Sequence, residues 1–331
     1  MTMADVAVIV PTLGRSPFLA ECLSRLRAES VPASELIVVQ PAEVPELETN
    51  LADRVLETQE SLGFAASCNF AISRTASEFV ALVNDDALVQ PGWMETLLGA
   101  LAETSVASVQ GINLQLDQPS LVDGCGVAWN RIWRAVQIGH GLRLPALSRP
   151  VEIFGASATA AIYRRSALRQ VELPDLGVFD PRLISYYEDV ELAVRLRGLG
   201  YRSLCVPTAR AVHAGSTTAK QQPYEQVRLM VSNRYLVLAR ALGRSFRSRW
   251  PLLLVRDLLD LAAHLGCARF REARGLLAGL QRVVRQLEHF THSDGDSDAV
   301  AALTPFRLRR AASWPPSWET ESEPDPPGFD H

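Results

Sequence analysis

Short runs of aliphatic and β-branched residues recur along most of the chain, with segments of helical periodicity between them. The strand-like runs are Val6 to Val10, Leu36 to Val39, Phe79 to Val83, Val106 to Val109 and Ser203 to Val206. The helical segments run from about Pro17 to Ala28, Ala65 to Arg74, Trp93 to Ala102 and Glu188 to Leu199, with a short helix opening at Arg164 and Arg165. A continuous apolar run is typical of a strand buried on both faces, as in a parallel sheet. Strands that alternate with helices therefore predict an α/β fold around an open, mostly parallel sheet.

The remaining segments follow other patterns. After Val109 and up to about Pro150, glycine and polar residues predict irregular or antiparallel structure. Beyond about Pro223, Leu, Ala and Arg recur at helical spacing up to about Phe290. From about Thr291 onward, Ser, Asp, Glu and Pro predominate, as in disordered segments. The predicted organisation is an α/β domain over residues 1–222, a helical appendage over 223–290 and a disordered tail over 291–331.

The composition argues against several classes of protein. A net charge of −4 gives no general attraction to nucleic acid. The five cysteines are far apart and lack CxxC spacing, which argues against a zinc ribbon or a disulfide framework and favours a reducing cytoplasm. Asp5 and Pro11 bracket only a strand-length apolar stretch, so no signal peptide is predicted. Arg256, Asp257 and Asp260 interrupt the leucine-rich segment after Pro251, so no transmembrane helix is predicted either.

Adjacent acids directly follow one of the predicted strands. Asn84, Asp85 and Asp86 come after the run that ends at Val83. Ligands of open α/β sheets bind beyond the carboxyl ends of the strands, so these side chains are expected in a cleft. Two neighbouring carboxylates repel each other unless a cation compensates them, and Mg²⁺ or Mn²⁺ prefers oxygen ligands. The alternative is a polar turn exposed to solvent.

Two further features carry potential chemistry. Glu188 and Asp189 open a predicted helix, where a capping role is the main alternative to catalysis because helix N-termini favour carboxylates. His213 follows the last predicted strand among small and polar residues, and a single histidine there is most often structural or exposed. Ser157 and Thr159 lie in a small-residue segment that lines a ligand site or packs closely in the core.

Five short segments between about residues 5 and 220 form an ordered set, and an Asn233-Arg234 pair follows them. The segments are Val8-Ile9-Val10-Pro11-Thr12, Leu82-Val83-Asn84-Asp85-Asp86, Ala160-Ala161-Ile162-Tyr163-Arg164-Arg165-Ser166-Ala167-Leu168, Glu188-Asp189-Val190-Glu191-Leu192 and Val206-Pro207 before His213. This ordered set resembles family 2 glycosyltransferases, and it looks closest to the bacterial rhamnosyltransferase-like members.

The resemblance implies a GT-A fold, a UDP- or dTDP-linked sugar donor and inversion at the anomeric carbon. By position, it assigns nucleotide contacts to Pro11, Thr12 and Arg15, to Gly63 and Asn69 in a loop and helix that close over the nucleotide, and to Asn84 and Asp85. It also assigns Asp86 and His213 to a Mg²⁺ or Mn²⁺ ion, Asp189 to the catalytic base and Glu188 to a neighbouring positioning role.

The sequence departs from the family pattern at two places. Asn84 replaces the first acid of the strand-end motif, and Gln40 replaces the acid that contacts the nucleotide base in the family. Residues 41 to 60 also carry Pro41, Glu43 and Pro45 in place of the usual turn, which predicts a rebuilt loop.

The expected acceptor is a carbohydrate or a lipid-linked glycan of the bacterial cell surface, and alternatives remain open. The helical appendage has an excess of arginine, which fits peripheral contact with the inner face of the cytoplasmic membrane or simple solvation of packed helices.

A nucleotidyltransferase would need a glycine-rich, basic phosphate loop after the first strand, where this chain has Pro11-Thr12-Leu13-Gly14-Arg15. No GxGxxG motif follows a strand, which argues against a dinucleotide-dependent oxidoreductase. A non-catalytic relative that binds a sugar nucleotide or a carbohydrate is the main alternative.

Overall fold

The computed structural model describes residues 5–44, 51–130, 132–144, 149–215 and 222–291. Residues 292–331 of the predicted tail, and Pro45 of the predicted rebuilt loop, lie outside these ranges.

A large mixed sheet forms the centre of the molecule. Its strands, together with those of a small separate hairpin, are β1 (Val6–Pro11), β2 (Glu35–Pro41), β3 (Arg54–Thr58), β4 (Phe79–Val83), β5 (Ala87–Val89), β6 (Val106–Gln115), β7 (Val122–Gly124), β8 (Val127–Trp129), β9 (Ala135–Gln137), β10 (Val151–Ile153), β11 (Ala160–Arg164) and β12 (Arg202–His213). The order across the sheet is β10-β12-β6-β11-β4-β1-β2-β3, with β5 beside the end of β12 and β7 beside β6. Strands β1 to β4, β6 and β12 run in one direction, and β11 runs between β4 and β6 in the other.

Helices cover both faces of this sheet. They are α1 (Leu19–Arg27), α2 (Phe64–Ile72), α3 (Trp93–Ala100), α4 (Arg165–Gln170), α5 (Glu188–Gly198), α6 (Pro223–Leu242), α7 (Phe246–Gly266) and α8 (Phe270–Thr291). Along β1 the side chains alternate between the faces: Val8 packs with α1 and α3, whereas Ile9 packs with α2. This two-sided burial explains why β1 reads as a continuous apolar run, and it confirms the predicted α/β architecture.

Most predicted elements are present, with two differences in the strands and one segment that agrees with its prediction. β6 and β12 extend well beyond the predicted runs, so His213 is the last residue of β12 and does not lie after a short strand. β3, β5, β10 and β11 were not predicted; β3 is an edge strand whose side chains are mostly only partly buried, which weakens its apolar pattern. The segment predicted to be irregular or antiparallel contains β7 and the β8–β9 hairpin, both paired antiparallel.

The C-terminal helices share a core with the α/β body. Buried Tyr235 and Leu236 of α6 belong to the same hydrophobic cluster as Trp129, Phe154 and Val190. The close contact between α6 and α8 requires glycine: a Cβ at Gly275 would lie 2.5 Å from the Tyr224 carbonyl oxygen, and one at Gly279 would lie 2.7 Å from that of Arg228. The domain division at residue 222 stays a prediction. Within the described ranges, no helix combines the length and apolar character needed to cross a bilayer.

Candidate functional site

The carboxyl ends of β1 and β4 bring the first group of predicted site residues together. These strands are parallel neighbours, so Thr12 and Asp85 leave the sheet side by side. The Thr12 hydroxyl donates a hydrogen bond of 2.5 Å to Oδ2 of Asp85 and accepts one of 2.9 Å from the Gly14 N–H. Gly14 has φ +68 and faces Val44, a position that only glycine occupies without strain. Burial, with a smaller contribution from the neighbouring Asp86 charge, raises the pKa of Asp85 to about 6 despite the Thr12 hydrogen bond.

Asp86 and His213 are brought together by the pairing of β5 with the end of β12. In this pairing His213 lies opposite Ala87, the residue after Asp86, and the Ala214 N–H donates to the Asp86 carbonyl at 3.1 Å. The Nε2 atom of His213 lies 3.2 Å from Oδ1 of Asp86, and its Nδ1 atom lies 2.8 Å from Oδ2 of Asp123. Burial alone would lower the pKa of His213, but hydrogen bonds and charge from the two carboxylates raise it to about 9.

The donor set fits a divalent cation that has two protein ligands. Asp86 and Nε2 of His213 converge on one point, while Asp123 holds the opposite ring nitrogen, as the outer carboxylates of many metal-binding histidines do. In the part of the chain that the structure describes, no cluster of three or more His, Cys, Asp or Glu side chains is arranged to hold a metal. A cation here would therefore complete its coordination with oxygens from a ligand or from water.

Asp189 lies at the start of α5 and is partly exposed. It accepts hydrogen bonds from the Val190 N–H at 2.7 Å, from the Ser157 hydroxyl and from the Ala158 N–H. Burial outweighs these donors and raises its pKa above the ordinary value. The N-cap position itself is Tyr187, whose side chain makes no capping hydrogen bond. Asp189 therefore both serves the first turn of the helix and keeps a carboxylate accessible.

Glu188 has a different environment from its neighbour. It is buried, and its Oε2 atom has no hydrogen-bond partner among the described residues. Burial and then repulsion from Asp189 raise its pKa. Because Asp189 has three donors that favour the ionised form, the negative charge of the pair resides on Asp189 and Glu188 is the neutral member.

A series of hydrogen bonds connects Asp189 to the residues at the end of β4. The Asn84 N–H donates to the Thr159 carbonyl at 2.8 Å, and the Thr159 hydroxyl lies 3.1 Å from that of Ser157. Since Ser157 also donates to Asp189, the predicted base and the predicted metal ligands lie on one edge of the sheet. Ser157 and Thr159 are thus in contact with site residues.

The loop before Asp189 has a strained conformation that α6 and α2 hold from two sides. Ile184, Tyr186 and Tyr187 all have φ near +70, which non-glycine residues rarely adopt. The buried side-chain amide of Asn233 donates to the carbonyls of Leu183, Ser185 and Tyr186 at 2.8, 2.9 and 2.7 Å.

From the α2 side, the Ala65 N–H donates to the Ile184 carbonyl at 3.2 Å. Gly63 permits this approach, because a Cβ there would lie 2.5 Å from the Ile184 oxygen. Gly63 therefore has a packing role in the loop, and its predicted nucleotide contact stays a prediction.

The structure also places the remaining predicted nucleotide residues. Pro11 ends β1, and Arg15 is exposed in the loop that follows. Asn69 uses its whole side-chain amide to hold the segment before α5: it donates to Leu176 and Phe179 carbonyls at 2.8 and 2.7 Å and accepts from the Phe179 N–H at 2.9 Å. Its predicted nucleotide contact stays a prediction, with this structural role beside it. Gln40 is 1% exposed, and neither polar atom of its side chain has a partner among the described residues.

Two residues of this region escaped the sequence reasoning. Asp123 lies in a segment without recognisable periodicity, and no motif marks it. The sequence marks Asn233 only as part of an Asn-Arg pair, and its contact with the loop before Asp189 depends on how α6 packs.

Comparison with known sequences places the chain among sugar-transferring enzymes. The profile of Glycosyl transferase family 2 matches residues 7–172. The chain is 28% identical over 241 residues to N-acetylglucosaminyl-diphospho-decaprenol L-rhamnosyltransferase of Mycobacterium tuberculosis, which covers 64% of this chain and 75% of that protein. It is 29% identical over 214 residues to the pre-mycofactocin glycosyltransferase of the same organism, covering 63% of this chain and 42% of the relative.

Solved structures share the fold at low sequence identity. GalNAc-T7 in complex with UDP, GalNAc and Mn²⁺ superposes with a TM-score of 0.58 at 11% identity, over 88% of this chain and 58% of that one. The mannosyltransferase PcManGT of Pyrobaculum calidifontis, in complex with GDP-Man and Mn²⁺, has a TM-score of 0.50 at 18% identity, over 90% and 86% of the two chains. These likenesses confirm the predicted GT-A architecture. Because the family profile spans half of the sequence, the predicted resemblance is confirmed as well: the chain is a glycosyltransferase enzyme that belongs to family 2.

Proposed function

We propose that the enzyme transfers a sugar from a UDP- or dTDP-linked donor to an acceptor hydroxyl, with inversion at the anomeric carbon. In this proposal Asp86 and His213 bind Mg²⁺ or Mn²⁺, and Asp189 removes the acceptor proton. The observation that carries the proposal is the convergence of Asp86 and His213, which are distant in sequence, at the edge of the sheet where Asp189 also lies.

The metal-binding half of the proposal rests on the chemistry of the donor set. When bound, the cation would neutralise the charge that develops on the departing diphosphate. Asp123 accepts a hydrogen bond from Nδ1 of His213 and so orients the ring with Nε2 facing the Asp86 carboxylate, where a bound cation would take the place of the Nε2 proton. Asp86 and His213 would supply two protein ligands, and oxygens of the substrate or of water would complete the coordination.

Asp189 is the better of the two candidates for the catalytic base. It is partly exposed, and the Ser157 hydroxyl and two N–H groups fix its orientation and favour its ionised form. A general base needs an accessible lone pair and a pKa close to the working pH, and burial has raised the pKa of Asp189 in that direction. Buried, neutral Glu188 has neither the access nor the charge, and it acts as a positioning neighbour.

The nucleotide assignment follows from the resemblance, which places Gln40 where an acid contacts the base in the family; this side chain is 1% exposed, and its amide is unpaired among the described residues. A buried amide without partners carries a free-energy penalty of about 1–3 kcal/mol, which a bound ligand or water would relieve. The amide offers one donor group and one acceptor, which complement the imide edge of uracil or thymine. The acceptor is proposed to be a carbohydrate or a lipid-linked glycan of the bacterial cell surface, since one relative is named for a diphospho-decaprenol acceptor.

Nucleotide binding should depend on both the cation and Asp86. We expect UDP or dTDP to bind the full chain in the presence of Mn²⁺ and much more weakly in EDTA. Asp86→Ala should lose at least about tenfold of the metal-dependent affinity, because one of two protein ligands is removed. Isothermal titration calorimetry measures both effects.

The matched control for that experiment is Glu21→Ala, which removes an exposed carboxylate of α1 and should leave the affinity unchanged. Undiminished metal-dependent affinity in Asp86→Ala would exclude Asp86 from the metal site. Preferential binding of GDP would contradict the assigned nucleotide and leave the metal site intact.

Removing the hydrogen bonds from Asn233 of α6 to the loop before Asp189 should slow turnover without a matching effect on donor binding. Asn233→Ala leaves three loop carbonyls without their donor and frees the strained segment that leads into Asp189. We expect kcat to fall about tenfold while the donor KM changes little, because the base is displaced from the acceptor. Steady-state kinetics under conditions where circular dichroism shows a folded variant measure this split.

The neighbouring Ser232→Ala is the control, since Ser232 is equally buried but bonds to its own helix, including a weak contact of 3.5 Å with the Asn233 oxygen, and to Arg282 rather than to the loop. Equal kinetic losses in Ser232→Ala and Asn233→Ala would show that general damage to α6 is responsible.

A further inference from the structure

Helix α7 has an apolar face that the rest of the described chain does not cover. Its exposed side chains are Leu252, Val255, Leu258, Leu259 and Leu265, with 73%, 56%, 49%, 61% and 51% of their surface accessible. At about 100° per residue these positions fall within an arc of about 140° around the helix. Between residues 251 and 266, no charged residue lies in this arc. We define these five residues as the α7 face.

The opposite side of α7 is anchored, so the exposure of this face is fixed by packing. Asp257 is fully buried, forms an ion pair with Arg234 of α6 and accepts a hydrogen bond of 2.6 Å from the Tyr235 hydroxyl. Leu253 is buried beside it in the common core. Rotation of α7 to hide the α7 face would break this buried ion pair, which is strongly unfavourable.

The surroundings of the α7 face are basic. Arg249 and Arg256 lie along one edge of the arc, exposed Arg247 lies in the first turn of α7, and exposed Arg244, Arg269 and Arg271 precede or follow the helix. Between residues 244 and 271 the acids are Asp257, which is buried, and Asp260, which forms ion pairs with Arg134 and with Arg256. The arginine side chains therefore present a positive rim around an apolar strip. Trp250, also exposed, lies on the other edge of the helix.

This combination favours a lipid surface over a second copy of the chain. A second copy docked on the same face would bring another set of these arginines around one apolar strip, where the two acids, Asp257 and Asp260, already have arginine partners. An anionic bilayer accommodates both the apolar strip and the positive rim. Aliphatic side chains enter the acyl boundary, arginines contact lipid phosphates and tryptophan favours the interface. We propose that the enzyme binds the surface of an anionic membrane through the α7 face, and this proposal does not depend on the identity of donor or acceptor.

Vesicle cosedimentation of the full chain tests the proposal. The wild type should partition onto phosphatidylcholine vesicles that contain phosphatidylglycerol, and less onto phosphatidylcholine alone, with a decrease at high salt. Leu252→Ser combined with Leu259→Ser should reduce the partition coefficient at least about tenfold, because two exposed leucines no longer enter the lipid. The control is Leu142→Ser combined with Leu199→Ser, at two exposed leucines outside the C-terminal helices, and it should leave the partition coefficient unchanged.

Three results would overturn the proposal. The first is the absence of partitioning by the wild type, which would mean that another occupant covers the α7 face. The second is equal partitioning of the two double variants. The third is a dimer in analytical ultracentrifugation that dissociates in the Leu252→Ser, Leu259→Ser variant, because the face would then be an interface between subunits.

Discussion

Asp189→Asn should lower the turnover number by about 10²-fold or more while the protein remains folded and binds its donor. The amide of asparagine keeps the shape of the carboxylate, and its oxygen still accepts hydrogen bonds from the Ser157 hydroxyl and the Ala158 N–H. It has no basic lone pair with which to take the acceptor proton. The rate is measured at saturating donor and acceptor, with donor affinity by calorimetry and thermal unfolding of the same sample.

Glu188→Gln is the matched control for this experiment. Because Glu188 is buried and neutral in the folded enzyme, an amide of the same shape should preserve most of the turnover. Turnover near that of the wild type in Asp189→Asn would exclude Asp189 as the base, and a large loss in Glu188→Gln would then assign the role to Glu188. A fall in melting temperature that parallels the loss of rate would indicate a structural role for Asp189 at the start of α5.

The pH dependence of turnover should also identify Asp189 as the base. Turnover requires the ionised form of Asp189, so it should fall as the pH drops through the pKa of that group. Burial raises this pKa above the ordinary aspartate value, and the acid limb should therefore begin at a higher pH than for an exposed aspartate. Asp189→Asn should lack this limb.

The parts of the fold and site that could be predicted are those with a local signal. Asn84 to Asp86 follow a buried apolar run, and Glu188 and Asp189 open a periodic helix, so each lies at a boundary that the sequence marks. The confirmed α/β architecture has the same origin, since strands buried on both faces must be apolar throughout. Even there, the sequence alone could not show which carboxylate of the Glu188 and Asp189 pair is accessible, because burial depends on what packs against α5.

The residues that escaped prediction act across long distances in the chain. Asp123 reaches His213 only because β7 pairs with β6 and β6 runs beside β12. Asn233 reaches the loop before Asp189 because α6 packs against the body, and the compact Gly275 and Gly279 of α8 help to set that packing. No periodicity in a short window contains such contacts. The buried ion pairs that involve the C-terminal helices also join residues that are far apart in the sequence.

Arg240→Met should destabilise the whole chain by about 3 kcal/mol, the lower end of the range for breaking a buried ion pair. Arg240 of α6 is buried and bridges two carboxylates of the α/β body, Asp180 at 2.7 Å and Glu191. Both acids are fully buried, and each keeps one other arginine, Arg182 or Arg195, which limits the loss. Methionine fills a similar volume, so the effect reports mainly on the lost charge. Urea unfolding followed by circular dichroism measures it.

The sign of the pH dependence separates a lost ion pair from lost packing. Burial alone would raise the pKa values of Asp180 and Glu191, but their arginine partners lower both below the ordinary values. Carboxylates of this kind stabilise the fold above their unfolded pKa values, and that stabilisation disappears as the pH falls through the folded ones. The difference between wild type and Arg240→Met should therefore narrow below about pH 4. Exposed Arg244→Met is the control and should unfold like the wild type. A difference that persists unchanged at acid pH would assign the effect to packing against Phe290, whose ring lies 4.6 Å from the Arg240 guanidinium.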